Sequence, residues 1–384
     1  MRVLHVHSGN LYGGVETFLV TLVREARFAP RMLSMFAVCF EGRLSTELTA
    51  MGRAPYSLGR VRLRRPDTLW RARRALKQYL RREPFDMVVC HQAWPSVVFA
   101  PTIREAGLPL VLWVHMAGDG RHWLDRLARR SAPDLAICNS RFSGERLSKW
   151  FRDVPLECIY YPVSLALAGA GVAERSLIRE QLRTDPSDVV IVQVSRLEAW
   201  KGQHVAIEAL TTLKDLRGWT YWFVGGPQRS SEGRYLRDLQ RRVQEVGIAD
   251  RVRFAGERQD VATVLRSADI FCQPNTDPEP FGLSLLEALH AGLPVVTSGI
   301  GGAREIVDES CGVLVPPHDI ATLSAAFRRL VTDRSARLTL GRQAQNRPLV
   351  LCDPQRQMRR IQQLLGSVID PDLKIRPTLS RASI

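Results

Sequence analysis

Residues 189–202, VVIVQVSRLEAWKG, join an apolar run to a segment that carries two cations. The run VVIVQV is rich in β-branched residues and predicts a strand. Arg196 follows on the loop, and Lys201 is predicted to lie in the first turn of the next helix. Cations oppose the helix dipole there, so their placement indicates a bound anion. The guanidinium of an arginine is a fork of donors and the ammonium group of a lysine is a point charge, and this pair suits a diphosphate. The alternative is that both side chains are solvated cations at the surface.

Comparable apolar runs recur on both sides of this stretch, separated by segments of helical periodicity. Before it come RVLHVHS, MLSMFAVCF, MVVCH, LVLWVH, LAICNS and LECIYYP, and after it TYWFVGG, RVRFAG, IFCQPN, PVVTSG and GVLVP. Alternating strands and helices predict an α/β fold with parallel sheets covered by helices. Two such series in tandem predict two Rossmann-like, doubly wound domains facing each other across a cleft, with ligands at the carboxyl ends of the strands.

The series breaks at residues 160–171, YYPVSLALAGAG, which predict a connector. We therefore expect an N-terminal domain over 1–165 and a C-terminal domain over 172–350. Within 351–384, a helix over 354–366 is predicted to cross back to the first domain, and a polar, frayed tail to follow.

The composition of the chain excludes several classes of protein. The 384 residues are 45% hydrophobic, which suits two packed cores and excludes a disordered or fibrous chain. The start, MRVLHVHSGN, predicts a first strand rather than a signal peptide, and no apolar run reaches membrane-spanning length. The seven cysteines lack C-x-x-C spacing and are expected to be buried reduced thiols. We expect a cytoplasmic protein.

Charge is concentrated in the first half of the chain. Of the net +15, residues 1–162 carry 25 Lys and Arg against 14 Asp and Glu, a net of +11. Such a field attracts nucleic acid, anionic lipid or a phosphorylated acceptor alike. Helix-turn-helix, zinc-finger and RNP patterns are not evident in the sequence, so nucleic acid is the least favoured of these partners.

Two carboxylates eight positions apart form the most specific local pattern, EPFGLSLLE at 279–287. Pro280 and Gly282 predict a turn that leaves Glu279 on the loop and puts Glu287 about two turns into a helix. The backbone N–H groups at 281–283 are then unpaired donors suited to sugar hydroxyls or a phosphate. Acids that merely complement the helix dipole are the alternative.

Two weaker features follow strands of the first domain. Gly13 and Gly14 lie between the first strand and the first helix, where glycine lets the backbone approach a phosphate closely. His115 ends the strand LVLWV, at the edge where a doubly wound domain places its site. A tight connection and a structural histidine are the respective alternatives.

Together these features resemble glycosyltransferase family 4, whose members are retaining enzymes with the two-domain architecture named GT-B. The resemblance covers nearly the whole chain in order, including the S-R-L…K pattern, RVRFAG, the E-x7-E segment and GGAREIV at 301–307. The connector YYPVS at 160–164 departs from the P-N-G-V-D-like segment common in the family.

The resemblance implies a role for each matched residue. Arg196 and Lys201 neutralise the donor diphosphate, and Glu279 holds a hydroxyl of the donor sugar. Glu287 binds the ribose, while His115 contacts the sugar near the leaving bond. The donor-binding set implied in full is Gly13, Gly14, Arg253, Phe254, Gly256, Phe281, Gly282, Leu283, Ser284 and Glu287, with Gly14 offering its amide to the diphosphate and 253–258 lying against the base.

The implied reaction transfers a sugar, with retention, from a nucleotide diphosphate sugar to a glycan, lipid-linked or small-molecule acceptor. No metal or other cofactor is implied, and the D-x-D at 370–372 lies in the polar tail. In the front-face mechanism inferred for such enzymes, the leaving phosphate helps to deprotonate the acceptor. The alternatives are an epimerase or phosphorylase on the same fold, and a catalytically silent nucleotide-sugar-binding partner.

Basic segments of the first domain bear on the acceptor. Residues 60–65 and a predicted helix over 68–82 carry many arginines around an apolar stripe, and 121–130 combine Trp123 with four arginines. Such segments suit an anionic membrane interface, so we expect peripheral membrane contact and a lipid-linked or phosphorylated acceptor. A stripe that packs on the sheet is the alternative.

Overall fold

The computed structural model describes residues 1–116, 118, 122–151, 153–163, 172–370 and 372. The chain divides into two compact units. The first unit comprises Met1–Ser164 and Cys352–Ile384, and the second comprises Leu165–Leu351.

The described part of the first unit contains a seven-stranded parallel sheet in the order β3-β2-β1-β4-β5-β6-β7. Its strands are β1 (Arg2–His7), β2 (Leu33–Val38), β3 (Tyr56–Ser57), β4 (Met87–His91), β5 (Leu110–Val114), β6 (Leu135–Cys138) and β7 (Leu156–Cys158). The chain reverses its winding between β1 and β4, which makes their carboxyl ends the switch point where doubly wound sheets bind ligands.

Helices cover both faces of this sheet. They are α1 (Gly14–Arg24), α2 (Arg43–Ala50), α3 (Pro66–Arg82), α4 (Ala93–Glu105), α5 (Trp123–Arg130) and α6 (Arg141–Leu147). The central strands β4 and β5 are buried along their whole length, as expected for a parallel sheet covered on both faces. Leu4, Val88 and Phe99 belong to one core cluster of this unit, and each large side chain buried there contributes about 1.5–3 kcal/mol.

The second unit repeats the design with a six-stranded parallel sheet over its described residues, in the order β10-β9-β8-β11-β12-β13. The strands are β8 (Val189–Val194), β9 (Trp219–Val224), β10 (Val252–Gly256), β11 (Ile270–Gln273), β12 (Val295–Ser298) and β13 (Gly312–Val315). Its switch point lies between β8 and β11.

The helices of this unit are α7 (Val172–Gln181), α8 (Gln203–Thr211), α9 (Ser230–Glu245), α10 (Val261–Ser267), α11 (Leu283–His290), α12 (Ala303–Ile306), α13 (Ile320–Thr332), α14 (Arg334–Ala344) and α15 (Asn346–Cys352). Ile191, Phe223 and Phe327 lie in the core cluster between this sheet and its helices.

A last helix, α16 (Pro354–Ile369), belongs to the first unit. Its Ile361 and Leu365 are fully buried. Gln362 Oε1 accepts a hydrogen bond of 2.8 Å from the backbone N–H of Arg31, and Arg360 lies 3.6 Å from a carboxylate oxygen of Glu157. The polar tail predicted to follow lies outside the described residues, apart from residues 370 and 372.

The prediction of a GT-B fold made of two Rossmann-like units is confirmed. The predicted apolar runs become strands, whereas β3 has only two residues and too little sequence signal to be predicted. All seven cysteines lie in the described ranges, buried and without disulfides. Within those ranges no helix combines the length and apolarity that crossing a membrane requires.

Candidate functional site

The candidate site of the second unit begins where two loops meet beyond the ends of β8 and β11. Gly202 has φ of 72°, and a Cβ at this position would lie 1.8 Å from the carbonyl oxygen of Pro274. Only glycine permits this approach, because the left-handed conformation and the contact both exclude a side chain. The backbone N–H of Thr276 donates to Trp200 O at 2.8 Å beside it. The loop after β8 is therefore fixed against the loop after β11.

The helix begins after Gly202, so the predicted position of Lys201 is wrong. Lys201 does not lie in the first turn of the helix: it ends a short 3-10 turn, Ala199–Lys201, and α8 begins two residues later at Gln203. The ammonium group lies over the ring of Trp200, 3.9 Å from its centroid, and bonds a carboxylate oxygen of Glu279 at 2.6 Å.

Glu279 uses one carboxylate oxygen for all of its protein contacts. Its Oε2 accepts from Lys201 at 2.6 Å and from the amides of Gln273 and Asn275, each at 2.9 Å. Its Oε1 has no polar partner among the residues that the structure describes. The side chain is thus held rigidly while one anionic oxygen stays available to a hydroxyl donor.

The backbone of Glu279 is fixed by the GGAREIV segment. Glu279 forms an isolated parallel bridge with Gly301, and the N–H of Gly302 donates to Glu279 O at 2.7 Å. Gly301 has φ of 68°, and a Cβ on it would lie 2.3 Å from Glu279 O. The glycine pair therefore lets this segment approach the carboxylate-bearing loop.

Arg196 follows β8 and is oriented by two carboxylates. Its Nη2 lies 2.8 Å from Glu198 and 3.1 Å from Glu232, and the second of these is 4% exposed. The N–H of Gln228 donates to the other oxygen of Glu232 at 2.6 Å. Arg196 Nε is buried without a partner in the described part of the chain. The guanidinium therefore keeps donor capacity for an anion.

Glu287 differs from Glu279 in its surroundings. It is the fifth residue of α11, just over one turn from the helix start, so the predicted depth of two turns is wrong. No hydrogen bond or ion pair of its carboxyl group occurs within the described ranges. Burial raises the pKa of Glu287 to about 7, because its charged form is poorly solvated.

The helix that carries Glu287 begins directly after Gly282, which has φ of 106°. The N–H groups of Leu283 and Ser284 open the helix and have no acceptor within it. Ser284 Oγ donates to Gln273 Oε1 at 2.9 Å, and Phe281 is buried. These residues therefore lie at the same strand ends as Glu279.

The remaining predicted donor-binding residues of the second unit lie on β10 and are not all brought together. Gly256 ends the strand, and its carbonyl accepts from Gly225 N at 2.8 Å. Phe254 stacks on Phe223 at 5.2 Å between ring centroids. Arg253 lies near the opposite end of β10, where its guanidinium donates to backbone carbonyls of Leu182, Arg183, Asp250 and Val252. Its position is explained by capping these carbonyls.

In the first unit, the Gly13–Gly14 segment starts α1. The N–H of Gly13 is used by Glu16, whose carboxylate accepts it at 2.9 Å. Gly14 is the first residue of the helix, so its N–H lacks an acceptor within the helix. Of the two predicted glycines, Gly14 is the one with an amide suited to a ligand.

His115 is not an isolated histidine. It is 3% exposed, and both ring nitrogens are engaged: Nε2 lies 2.8 Å from His91 Nδ1, and Nδ1 contacts the hydroxyl of Tyr161. Burial holds its pKa well below the ordinary value, so the ring is neutral. Its predicted contact with a donor sugar stays a prediction, and a ring nitrogen makes that contact only by giving up one of these bonds.

The apolar stripe of α3 packs inward. Ala72 and Leu76 are buried in the core cluster that also contains Leu4, so this stripe is not open to a membrane. Trp70 is instead the exposed apolar side chain of α3, at 60%. A groove of about 470 Å³ between α3 and α4 is lined by Trp70, Arg74, Lys77, Arg81, Pro101 and Glu105 among others.

The cations of residues 60–82 are mostly unpaired within the described part of the chain. Over residues 60–82 there are ten Lys and Arg against one acid, Asp67. We name as the basic surface five exposed arginines that form no ion pair within the described ranges, Arg60, Arg62, Arg64, Arg74 and Arg81, together with Trp70. On α5, Trp123 is half exposed, while Arg121 of the second predicted segment lies outside the described residues.

Sequence reasoning missed the groups that orient the predicted ones. Gln273 and Asn275 hold Glu279, and Glu232 holds Arg196. A polar residue inside an otherwise apolar strand, as in IFCQ, is a signal that could have identified Gln273. Glu232 carries no such signal, because it lies on α9 and meets Arg196 only in the folded chain.

Family models match both halves of the chain. Residues 12–167 match the family model described as glycosyltransferase family 4, and residues 174–347 match the one described as glycosyl transferases group 1. The glycogen synthase of Mycobacterium tuberculosis is 29% identical over 290 residues, which are 68% of this chain and 62% of that protein. This chain thus spans less than two thirds of the glycogen synthase that it matches.

Two further relatives match over most of their length. The lipopolysaccharide core biosynthesis glycosyltransferase LpsE of Rhizobium meliloti is 26% identical over 343 residues, 88% of this chain and 92% of that protein. The crystal structure of Anabaena HepE in complex with UDP and glucose superimposes with a TM-score of 0.86 at 24% identity, covering 96% of this chain and all of that one. At this identity the superposition establishes the fold.

Proposed function

We propose that this chain, a member of the GT-B glycosyltransferase family, transfers a hexose with retention from a nucleotide diphosphate sugar without a metal ion. The observation that carries the proposal is the geometry of Glu279. One oxygen is fixed by three donors and the other is open, beside the ammonium group of Lys201. An oriented carboxylate next to a cation suits a sugar hydroxyl next to a diphosphate.

In the second unit, the cationic residues of the site stabilise the charge on the diphosphate. As the bond to the sugar breaks, negative charge grows on the diphosphate, and Arg196 and Lys201 stabilise it. Preorganisation by Glu198 and Glu232 keeps the Arg196 guanidinium in place at little reorganisation cost. These two cations supply the positive charge that a metal ion supplies in other transferases.

Glu279 and Glu287 orient the two parts of the donor that the diphosphate joins, the sugar and the ribose. Glu279 Oε1 accepts from a sugar hydroxyl, which fixes the ring relative to the leaving bond. Glu287 accepts from the ribose hydroxyls. Retention then follows a front-face path, in which the acceptor hydroxyl attacks from the side of the leaving phosphate and gives its proton to that phosphate.

UDP-glucose is the donor we propose to try first, since the Anabaena relative was crystallised with UDP and glucose. The acceptor is proposed to be lipid-linked or phosphorylated. The name of the Rhizobium relative, a lipopolysaccharide core transferase, supports the first of these. The basic surface supports contact with anionic lipid, because it combines exposed unpaired arginines with an exposed tryptophan.

The test is release of nucleotide from UDP-glucose with transfer to an acceptor extract, measured in excess chelator. We expect turnover to persist there, and the anomeric NMR signal of the product to keep the α configuration of the donor. Lys201→Met should lower kcat about 100-fold or more, because charge stabilisation of this kind contributes that much. Glu279 retains two amide donors in this variant, which limits the loss of stability.

Lys214→Met is the matched control. It makes the same change at an exposed lysine of the same unit, and its kcat should equal that of the wild type. Activity that vanishes with chelator and returns with Mg²⁺ would refute metal independence. Binding of UDP-glucose without any turnover would favour the silent partner, and turnover to an epimer or to a sugar phosphate would favour the epimerase or phosphorylase.

A further inference from the structure

Trp200 is linked to both cations of the candidate site. Its ring face lies under the ammonium group of Lys201, with Nζ 3.9 Å from the ring centroid. Its indole Nε1–H donates to Glu198 Oε2 at 3.0 Å, and the other oxygen of Glu198 lies 2.8 Å from Arg196 Nη2. One side chain of the pattern SRLEAWKG therefore contacts Lys201 directly and Arg196 through Glu198.

The ring face fixes the ammonium group of Lys201. An ammonium group has three N–H donors, and Glu279 Oε2, at 2.6 Å, is its one polar partner among the residues that the structure describes. Lysine has a flexible stem of four carbons, so this bond alone leaves the ammonium group free to swing about it. The indole face attracts the cation electrostatically and occupies a second side of it. Lys201 is thus held at two sides and keeps a donor for a diphosphate.

The indole N–H orients Glu198. The direction of this bond is fixed by chemistry, because an indole nitrogen only donates and a carboxylate oxygen only accepts. Trp200 therefore holds one oxygen of Glu198 while the other faces Arg196. A carboxylate held at one oxygen cannot rotate freely, so the Arg196 guanidinium meets a fixed partner.

The backbone of this loop is fixed without the Trp200 side chain. Gln193 Nε2 donates to Lys201 O at 2.7 Å, and Gln203 Nε2 donates to Arg196 O at 2.8 Å. Both glutamines are 1% exposed. A substitution of the Trp200 side chain therefore leaves these backbone contacts intact and acts on the placement of the neighbouring side chains.

We propose that Trp200 is a positioning residue that couples the two cations: its ring face fixes the ammonium group of Lys201, and its indole N–H fixes Glu198 and through it Arg196. As regards turnover, this inference rests on the proposed function. Both cations are then in place before the donor binds, so they stabilise the charge on the diphosphate with little movement. The two contacts are separable, because phenylalanine keeps a ring face and lacks the N–H, whereas leucine lacks both.

The first measurement locates the ammonium group by NMR. The sequence has five lysines, so protein labelled with ¹³C at the ε carbon of lysine gives few signals, and Lys201→Met identifies the one from Lys201. Protons over the face of an aromatic ring resonate upfield. We expect the ε protons of Lys201 to lie upfield of those of the other lysines in the wild type, to keep part of this shift in Trp200→Phe, and to lose it in Trp200→Leu. Glu198→Ala is the matched control and should leave the shift unchanged.

The second measurement separates the two contacts in turnover. Loss of one hydrogen bond in Trp200→Phe should lower kcat about fivefold, and loss of the ring as well in Trp200→Leu about 20-fold. In a Glu198→Ala background the indole N–H has no carboxylate to hold. Trp200→Phe should then lower kcat no further, whereas Trp200→Leu should still lower it about fourfold. Thermal unfolding checks that each variant folds.

Each outcome decides a separate point. A Lys201 signal that is not upfield in the wild type, or that stays upfield in Trp200→Leu, would overturn the role of the ring. The same loss of kcat from Trp200→Phe with and without Glu198 would overturn the role of the indole N–H. A changed Lys201 signal with wild-type kcat would overturn the positioning role in turnover. If the wild type transferred no sugar at all, the proposed function would fail while the Lys201 signal still decided whether Trp200 places the ammonium group.

Discussion

Glu287 is a carboxyl group whose charge changes near neutral pH. Its pKa is raised from 4.5 to about 7 by burial, so about half of the molecules carry a neutral Glu287 at pH 7. In the proposed function Glu287 accepts from the ribose hydroxyls, which donate most strongly to a carboxylate, so binding of the donor should favour the ionised form. Affinity for UDP-glucose should be full above pH 8 and fall by up to about tenfold per pH unit below 7. Calorimetric titration from pH 5.5 to 8.5 measures this.

Glu287→Gln is the control for that pH dependence. It removes the ionisation with little change of shape, so its affinity should vary little with pH and stay near the low-pH value of the wild type. A raised pKa in the folded state also makes the wild type lose stability as pH rises from 4.5 to 7, and the variant should not. Parallel pH profiles for the two proteins would disprove the assignment of Glu287.

Single residues also show which parts of the candidate site can be predicted from the sequence. Arg196 and Lys201 were predictable as candidates because cations near a helix start oppose the helix dipole, and Glu279 because it opens the E-x7-E pattern. Their partners were not, since the contact of Lys201 with Glu279 joins residues 78 positions apart. His115 appeared isolated in sequence for the same reason: His91 reaches it from β4 and Tyr161 from the segment after β7.

At the scale of elements, the close approach of the loops after β8 and β11 depends on Gly202. Gly202→Ala should destabilise the protein by about 2 kcal/mol or more, since alanine is strained at φ of 72° and its Cβ meets Pro274 O. The fall in kcat should exceed what loss of folded protein explains, because Lys201 is then displaced from Glu279. Chemical unfolding and kcat are measured together.

Gly218→Ala separates the cost of the positive φ from the cost of the contact with Pro274. Gly218 has φ of 75° and open space around its Cβ position, so this variant reports the conformational cost alone, about 1 kcal/mol. It should retain wild-type turnover. Equal destabilisation of the two variants would show that the contact with Pro274 contributes nothing.

Elements were predicted best where the apolar runs are long. The runs that become β1, β4, β8 and β9 are recognisable because strands buried on both faces are continuously apolar. The two-residue β3 and the start of α8 were not predictable from periodicity. A positive φ at Gly202 delays the helix until Gln203, and nothing in the pattern EAWKGQ marks that delay.

For the whole molecule, the uneven distribution of charge leads to the prediction that it binds anionic membrane through the basic surface. Each exposed cation near an anionic leaflet contributes about 1 kcal/mol, so Arg74→Ala with Arg81→Ala should weaken binding to anionic vesicles about 30-fold. High salt should abolish binding, and neutral vesicles should not bind the protein. Sedimentation with both kinds of vesicle measures this.

Arg234→Ala with Arg237→Ala is the matched control, since it removes the same charge from exposed residues of the second unit. Its binding should stay close to that of the wild type. If both double variants lose binding equally, net charge and not the basic surface is responsible. If the wild type binds neither kind of vesicle, a soluble acceptor is the better proposal.

The return of α16 to the first unit has a consequence for synthesis on the ribosome. The second unit is contiguous in sequence, so all of its residues emerge before residue 352. The first unit emerges earlier but lacks Ile361 and Leu365, which are fully buried in it, until translation has passed them. Domains generally fold as they emerge. Here the unit translated first is completed last, and until then it exposes the apolar surface that α16 later covers.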